Sequence, residues 1–213
     1  MELLKEKFKA KAEAAGLEIK EIIKTHGAKK VGEVTLSQVY QGMRGITGLV
    51  TETSLLDAQE GIRFRGYSIP ELQASLPKAP GGGEPLPEGL FHLMLLGELP
   101  NQEDVETITN IWQRRSHVPN HVFATIDALP ITTHPMTMFV AGVMALQTES
   151  KFSQEYAKGM NKKDYWQYTY DDSMDLIARL PRIAAYIYRR KYKNNEHIHP
   201  NGLLDWAGNL AYM

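Results

Sequence analysis

The chain has 213 residues, 43% of them hydrophobic and 23% charged, enough for one large domain or two small ones. With 24 Lys+Arg against 25 Asp+Glu, it has no global field that would draw it to nucleic acid or an anionic membrane surface. Its longest apolar run, around Met136 to Leu146, falls short of the roughly 18 residues a membrane span needs, and the absence of cysteine removes disulfides, thiol nucleophiles and thiolate metal sites. The N-terminus lacks the apolar segment of a secretory signal, and Glu2, Glu6 and Glu13 are unlike an acid-poor transit peptide.

In chain order, apolar residues recur at helical spacing over residues 3–25, with Gly27 as a plausible stop. A short helix with Thr35 as its cap and Val39 and Tyr40 inward precedes a glycine-punctuated stretch at residues 42–48. Residues 49–53 and 61–67 show β-branched or alternating character around a polar turn and read as a strand pair. Ser68, with Pro70 and Glu71 behind it, starts a helix that Pro77 stops. The Pro80–Pro85 stretch reads as a surface loop, followed by helices over residues 88–96, 102–116, 120–129, 136–149 and 153–160. The longest candidate covers residues 164–193 and carries Pro181, where a kink or break is expected. A polar loop over residues 194–201 leads to the start of another helix near Trp206. The fold class is therefore all-α with one small β hairpin near residues 49–67.

The groups that carry chemistry admit mostly structural readings. His117 and His121 stand four apart, but Pro119 lies between them and no Glu completes a metal motif, so no metal is implied. His197 and His199 sit in a polar loop where solvent exposure explains them. His134 before Pro135 either positions backbone donors or a bound anion ahead of a helix, or serves as a satisfied structural histidine, the reading favoured here. Asp171, Asp172 and Asp175 read as solvated, dipole-favourable carboxylates. The Arg114-Arg115, Lys162-Lys163 and Arg189-Arg190-Lys191 clusters read as helix-end or exposed cations. Glycines 42, 45 and 48 around Arg44 form either a turn between helix and strand or a place where backbone approaches an anion beside a forked donor.

The run Gly42-Met43-Arg44-Gly45 through Leu49-Val50, continued by Glu60-Gly61-Ile62-Arg63-Phe64-Arg65-Gly66-Tyr67, strongly resembles the eukaryotic mitochondrial-type citrate synthases. Glu84-Pro85-Leu86-Pro87-Glu88-Gly89-Leu90-Phe91, His134-Pro135-Met136, Tyr165-Trp166 and Met174-Asp175-Leu176-Ile177-Ala178-Arg179-Leu180-Pro181 extend the likeness over nearly the whole chain. The resemblance implies a mostly helical homodimer in the mitochondrial matrix that condenses acetyl-CoA with oxaloacetate and water to citrate and CoA. It places residues 1–213 in the N-terminal portion of the large domain. The family's histidine- and aspartate-bearing catalytic motifs have no counterpart here, so no catalytic residue is assigned and the chain alone is expected to be inactive.

Within the covered half, the resemblance implies two contacts to CoA phosphates across the dimer. Arg44 matches an arginine that reaches the nucleotide from the neighbouring subunit. Lys162 stands where relatives carry a second arginine, and it keeps the charge without the planar fork. Acetyl-CoA and CoA enter as substrate and product, not as a bound cofactor. The competing reading is a non-catalytic structural or interaction module with apolar helix faces for a partner chain.

Overall fold

The computed structural model describes residues 3–213. It opens with α1 (Leu3–His26) and the five-residue α2 (Leu36–Tyr40), followed by strands β1 (Ser54–Asp57), β2 (Gly61–Phe64) and β3 (Tyr67–Ser68). Then come α3 (Ile69–Ser75), α4 (Pro87–Leu96), α5 (Gln102–Arg115), α6 (Asn120–Asp127) and α7 (Pro135–Ala145). The chain finishes with α8 (Lys151–Ala157), α9 (Tyr165–Tyr192) and α10 (Trp206–Tyr212).

The caps expected from sequence form. Thr35 and Gln38 make a reciprocal capping box at α2, Ser68 and Glu71 another at α3, and Asn101 and Asp104 a third at α5. The strand pair, by contrast, lies further along the chain than the β-branched residues suggest. Asp57 accepts hydrogen bonds from the amides of Gln59 at 2.7 Å and Glu60 at 2.9 Å, which closes the turn at that point. The register Asp57↔Gly61 then fixes Ser54–Asp57 as the pairing strand and leaves residues 49–53 outside it. A two-residue third strand makes the sheet an antiparallel three-stranded one.

Two further expectations give way to geometry. Val39 and Tyr40 are exposed rather than inward, since α2 packs no buried residue. Pro181 does not break its helix, because α9 runs through it for 28 residues. A proline lacks the N–H that would satisfy the carbonyl four residues earlier, here Ile177. The indole N–H of Trp206 donates to that carbonyl at 2.8 Å, so a tertiary contact replaces the missing helical bond and seats α10 against α9.

The two halves of α9 serve two cores. Tyr170, Met174 and Ala178 pack with Leu96, Ile108, Ile111, Trp112 and Leu4. Ile183 and Ile187 pack with Val118, Val122, Ile126, Met138 and Leu146. A third cluster of Leu72, Leu76 and Leu93 joins the sheet to α4 through Phe64 and Tyr67. The helical reading of residues 136–149 divides into α7 and a 3-10 turn over Leu146–Glu149.

The acidic trio is not solvated. Asp171 accepts from buried Lys5 at 2.7 Å, and Asp175 pairs with Arg115 at 2.7 Å and Lys151 at 3.3 Å. Asp172 accepts from the Ser150 hydroxyl at 2.6 Å and from the amides of Lys151 and Phe152, capping α8 from another helix. The basic cluster at the end of α9 is likewise engaged. Arg190 pairs with Asp127 at 3.2 Å and donates to the carbonyl of Leu129, while Lys191 donates to the carbonyls of Ile131 and Thr133. These residues replace water as partners because α6, the loop after it and α8 pack directly on α9.

Candidate functional site

Arg44 lies in a tight turn directly after α2. Gly42, Met43 and Gly45 have φ of 73°, 60° and 75°, a left-handed run that glycine adopts without strain and that costs Met43 about 1 kcal/mol. Gln38 holds the turn in shape. Its backbone carbonyl accepts from the Met43 amide at 2.7 Å, and its side-chain amide donates to the Arg44 carbonyl at 3.3 Å. The same side chain accepts from Thr35, so one residue links the α2 cap to the Arg44 loop. The Arg44 guanidinium is exposed and has no ion pair among the described residues, which leaves its fork available to an anion.

Lys162 opens a 3-10 turn that leads into α9. Asn161 caps this turn by accepting from the Lys163 amide at 3.0 Å, and the Lys162 ammonium stands exposed. No hydrogen bond or ion pair joins Lys162 to Arg44 among the described residues. The two cations therefore occur as separate exposed positions within one chain.

The histidines divide by environment. His134 caps α7, its Nδ1 accepting from the Met136 amide at 3.2 Å, so it holds a backbone donor at the helix start. His121 is tied to the Ala145 carbonyl at 2.9 Å, and among the described residues no group of three potential ligands forms a metal site. His197 is exposed, as its polar loop suggests, and stacks one ring face on Tyr186 with ring centroids 4.0 Å apart and planes 1° from parallel. His92 is buried, with its Nδ1 at 3.1 Å from the Glu98 carbonyl.

Two further charged groups, away from Arg44 and Lys162 in their contacts, escape sequence reasoning. Glu88, at the start of α4, is fully buried. One of its oxygens accepts from Thr109 and from the Trp206 amide, at 3.3 and 3.1 Å, while the other has no partner among the described residues. Burial pushes its carboxyl above the ordinary range. Arg182 on α9 lines two adjoining cavities of about 240 and 330 Å³. The only sequence signals were a carboxylate inside an apolar helix run and a cation on the inward stripe of α9.

A family model described as "Citrate synthase, C-terminal domain" matches residues 42–213. The mitochondrial citrate synthase of Daucus carota is 54% identical over 195 residues, covering 92% of this chain and 41% of that protein. Its Aspergillus niger counterpart is 52% identical over 208 residues, covering 98% of this chain and 44% of that protein. The crystal structure of citrate synthase from Pyrobaculum aerophilum superposes with a TM-score of 0.68 at 25% identity, over 87% of this chain and 45% of that one. A citrate synthase from Thermoplasma acidophilum, solved in ternary complex with carboxymethyl coenzyme A and oxaloacetate, shares the fold at TM-score 0.62 and 22% identity, over 80% and 40% of the two chains. The chain thus spans less than half the length of the relatives it matches. With the family model covering most of its residues and half or more of its positions identical to those relatives, the chain belongs to the citrate synthase family.

Proposed function

We propose that these residues form part of an enzyme that condenses acetyl-CoA with oxaloacetate and water, releasing citrate and CoA. The observation that carries this reading is the 54% identity to a mitochondrial citrate synthase over 92% of the chain. The names of the relatives support a mitochondrial setting. The exposed apolar residues of α7, Met136, Val140 and Met144, support a homodimer in which such a face is covered.

The condensation must remove a weakly acidic methyl proton from a thioester. That step needs a carboxylate base, a donor at the developing enolate oxygen and a histidine that polarises the ketone. Oxaloacetate, a dianion, also needs convergent arginines. Among the described histidines only His92 is buried, and its Nδ1 is engaged by a backbone carbonyl. The proton-transfer groups therefore belong to other residues of the enzyme, and this chain supplies scaffold and the phosphate-facing cations Arg44 and Lys162. Incubating the intact enzyme with acetyl-CoA labelled in its methyl carbon and with oxaloacetate tests the reading. Labelled citrate is expected, and recovery of unreacted acetyl-CoA would refute it.

A further inference from the structure

Gln38 is bonded to the Arg44 turn in a way that a helix cap does not require. In a capping box the third helical residue has only to accept from the N-cap amide, and a Glu does that as well as a Gln. The side-chain oxygen of Gln38 fills this role, accepting from the Thr35 amide at 3.0 Å and from the Thr35 hydroxyl at 3.1 Å. Its nitrogen is then free to donate to the Arg44 carbonyl, at 3.3 Å. An amide N–H can only donate and a backbone carbonyl can only accept, so these partners fix which end of the carboxamide is which. A Glu at this position would keep the cap and lose the link to the turn.

The turn needs that hold. Met43 stands in the left-handed region at φ 60° without being glycine, and Gly42 and Gly45 beside it have no Cβ to restrict them. Two bonds tie the run to α2, one from the Met43 amide to the Gln38 carbonyl at 2.7 Å and one from the Gln38 carboxamide to the Arg44 carbonyl. The first is main chain to main chain and any residue at 38 could make it. The second depends on the glutamine side chain, and among the described residues no other side chain bonds to the Arg44 backbone. An arginine whose own peptide is fixed in advance loses less freedom when it meets an anion. We propose that Gln38 is a positioning residue for acetyl-CoA, presetting the peptide from which the Arg44 guanidinium reaches the CoA phosphates. This rests on the phosphate role of Arg44 and adds the side chain on which that role depends.

The test uses the intact enzyme, with initial rates measured against acetyl-CoA at saturating oxaloacetate. Gln38→Met removes both side-chain functions, whereas Gln38→Glu keeps the cap and removes only the donor. Each is expected to raise the Michaelis constant for acetyl-CoA about three- to tenfold, the span of one lost hydrogen bond, with kcat and the constant for oxaloacetate unchanged. Ser37→Ala, which removes a bond to Gln41 on the same helix and none to the turn, leaves all three unchanged. In an Arg44→Ala background Gln38→Met has no further effect, because Gln38 acts through Arg44.

A Gln38→Met effect that persists in the Arg44→Ala background, or a fall in kcat as large as the rise in the Michaelis constant, marks a general structural role and overturns the proposal. An effect of only one Gln38 variant also overturns it, since Gln38→Met alone would implicate the cap and Gln38→Glu alone the added charge. Unchanged constants for both, beside a raised one for Arg44→Ala, overturn it and leave the phosphate role of Arg44 standing. An unaltered constant for Arg44→Ala refutes that role itself, and the proposal with it.

Discussion

Replacing Trp206 by Phe should loosen α10, and the size of the effect should depend on residue 181. In the wild-type chain the Ile177 carbonyl has lost its helical donor to Pro181 and accepts the indole N–H at 2.8 Å instead. Trp206→Phe leaves that half-buried carbonyl without a donor, a cost of about 1–2 kcal/mol beyond lost packing. In a Pro181→Ala background the new amide at 181 satisfies Ile177 along the helix, so the same substitution costs only the packing. The packing loss, including the contact with the Trp112 ring at 6.3 Å, is common to both backgrounds and cancels. The coupling of about 1–2 kcal/mol corresponds to a factor of about 5–30 in local opening. Hydrogen exchange of the α10 amides reads it directly, for example the Asn209 amide that donates to the Asp205 carbonyl at 2.9 Å. Equal acceleration by Trp206→Phe in both backgrounds would refute the assignment of the indole as Pro181's replacement donor.

Other outcomes follow from the same contacts. Glu88 has a folded-state proton affinity raised above its unfolded one, so its ionisation penalises the folded state. Stability is expected to fall as pH rises from below the ordinary glutamate range through the raised folded value, and Glu88→Gln should flatten that slope in denaturant midpoints measured against pH. Asp172→Asn weakens the acceptor that caps α8 from α9 and should cost about 1–2 kcal/mol, seen as faster proteolysis or exchange confined to α8 and the Ser150 turn. Gly142→Ala would set a methyl 3.0 Å from Ile126 and 3.2 Å from Ile183, and should lower stability by about 1–2 kcal/mol despite the better helix former. Arg44→Ala in the intact enzyme should raise the Michaelis constant for acetyl-CoA and leave that for oxaloacetate nearly unchanged. An unaltered constant for acetyl-CoA would count against the phosphate role of Arg44.

What could be read from sequence was local chemistry. Thr35 with Gln38, Ser68 with Glu71 and Asn101 before α5 marked helix starts because capping depends on residues three apart. The strand at Ser54–Asp57 was displaced from its expected place because the deciding contact is the Asp57 turn, which outweighs the β-branched Val50 and Thr51. Pro181 looked like a break because its compensation comes from Trp206, twenty-nine residues from the carbonyl it serves. Asp171 and Asp172 looked like solvated carboxylates because their partners lie 20 or more positions away. Arg44 and Lys162 were legible only through family resemblance. Their exposed, unpaired setting fits that reading but does not single them out.

The most direct test of the account is oxaloacetate-dependent release of CoA thiol from acetyl-CoA, measured with the intact enzyme and with purified residues 1–213 side by side. The account predicts release by the intact enzyme and none by the 213 residues alone. Thiol release by the isolated chain would contradict it, because the groups that move the proton and polarise the ketone would then have to be among the residues described.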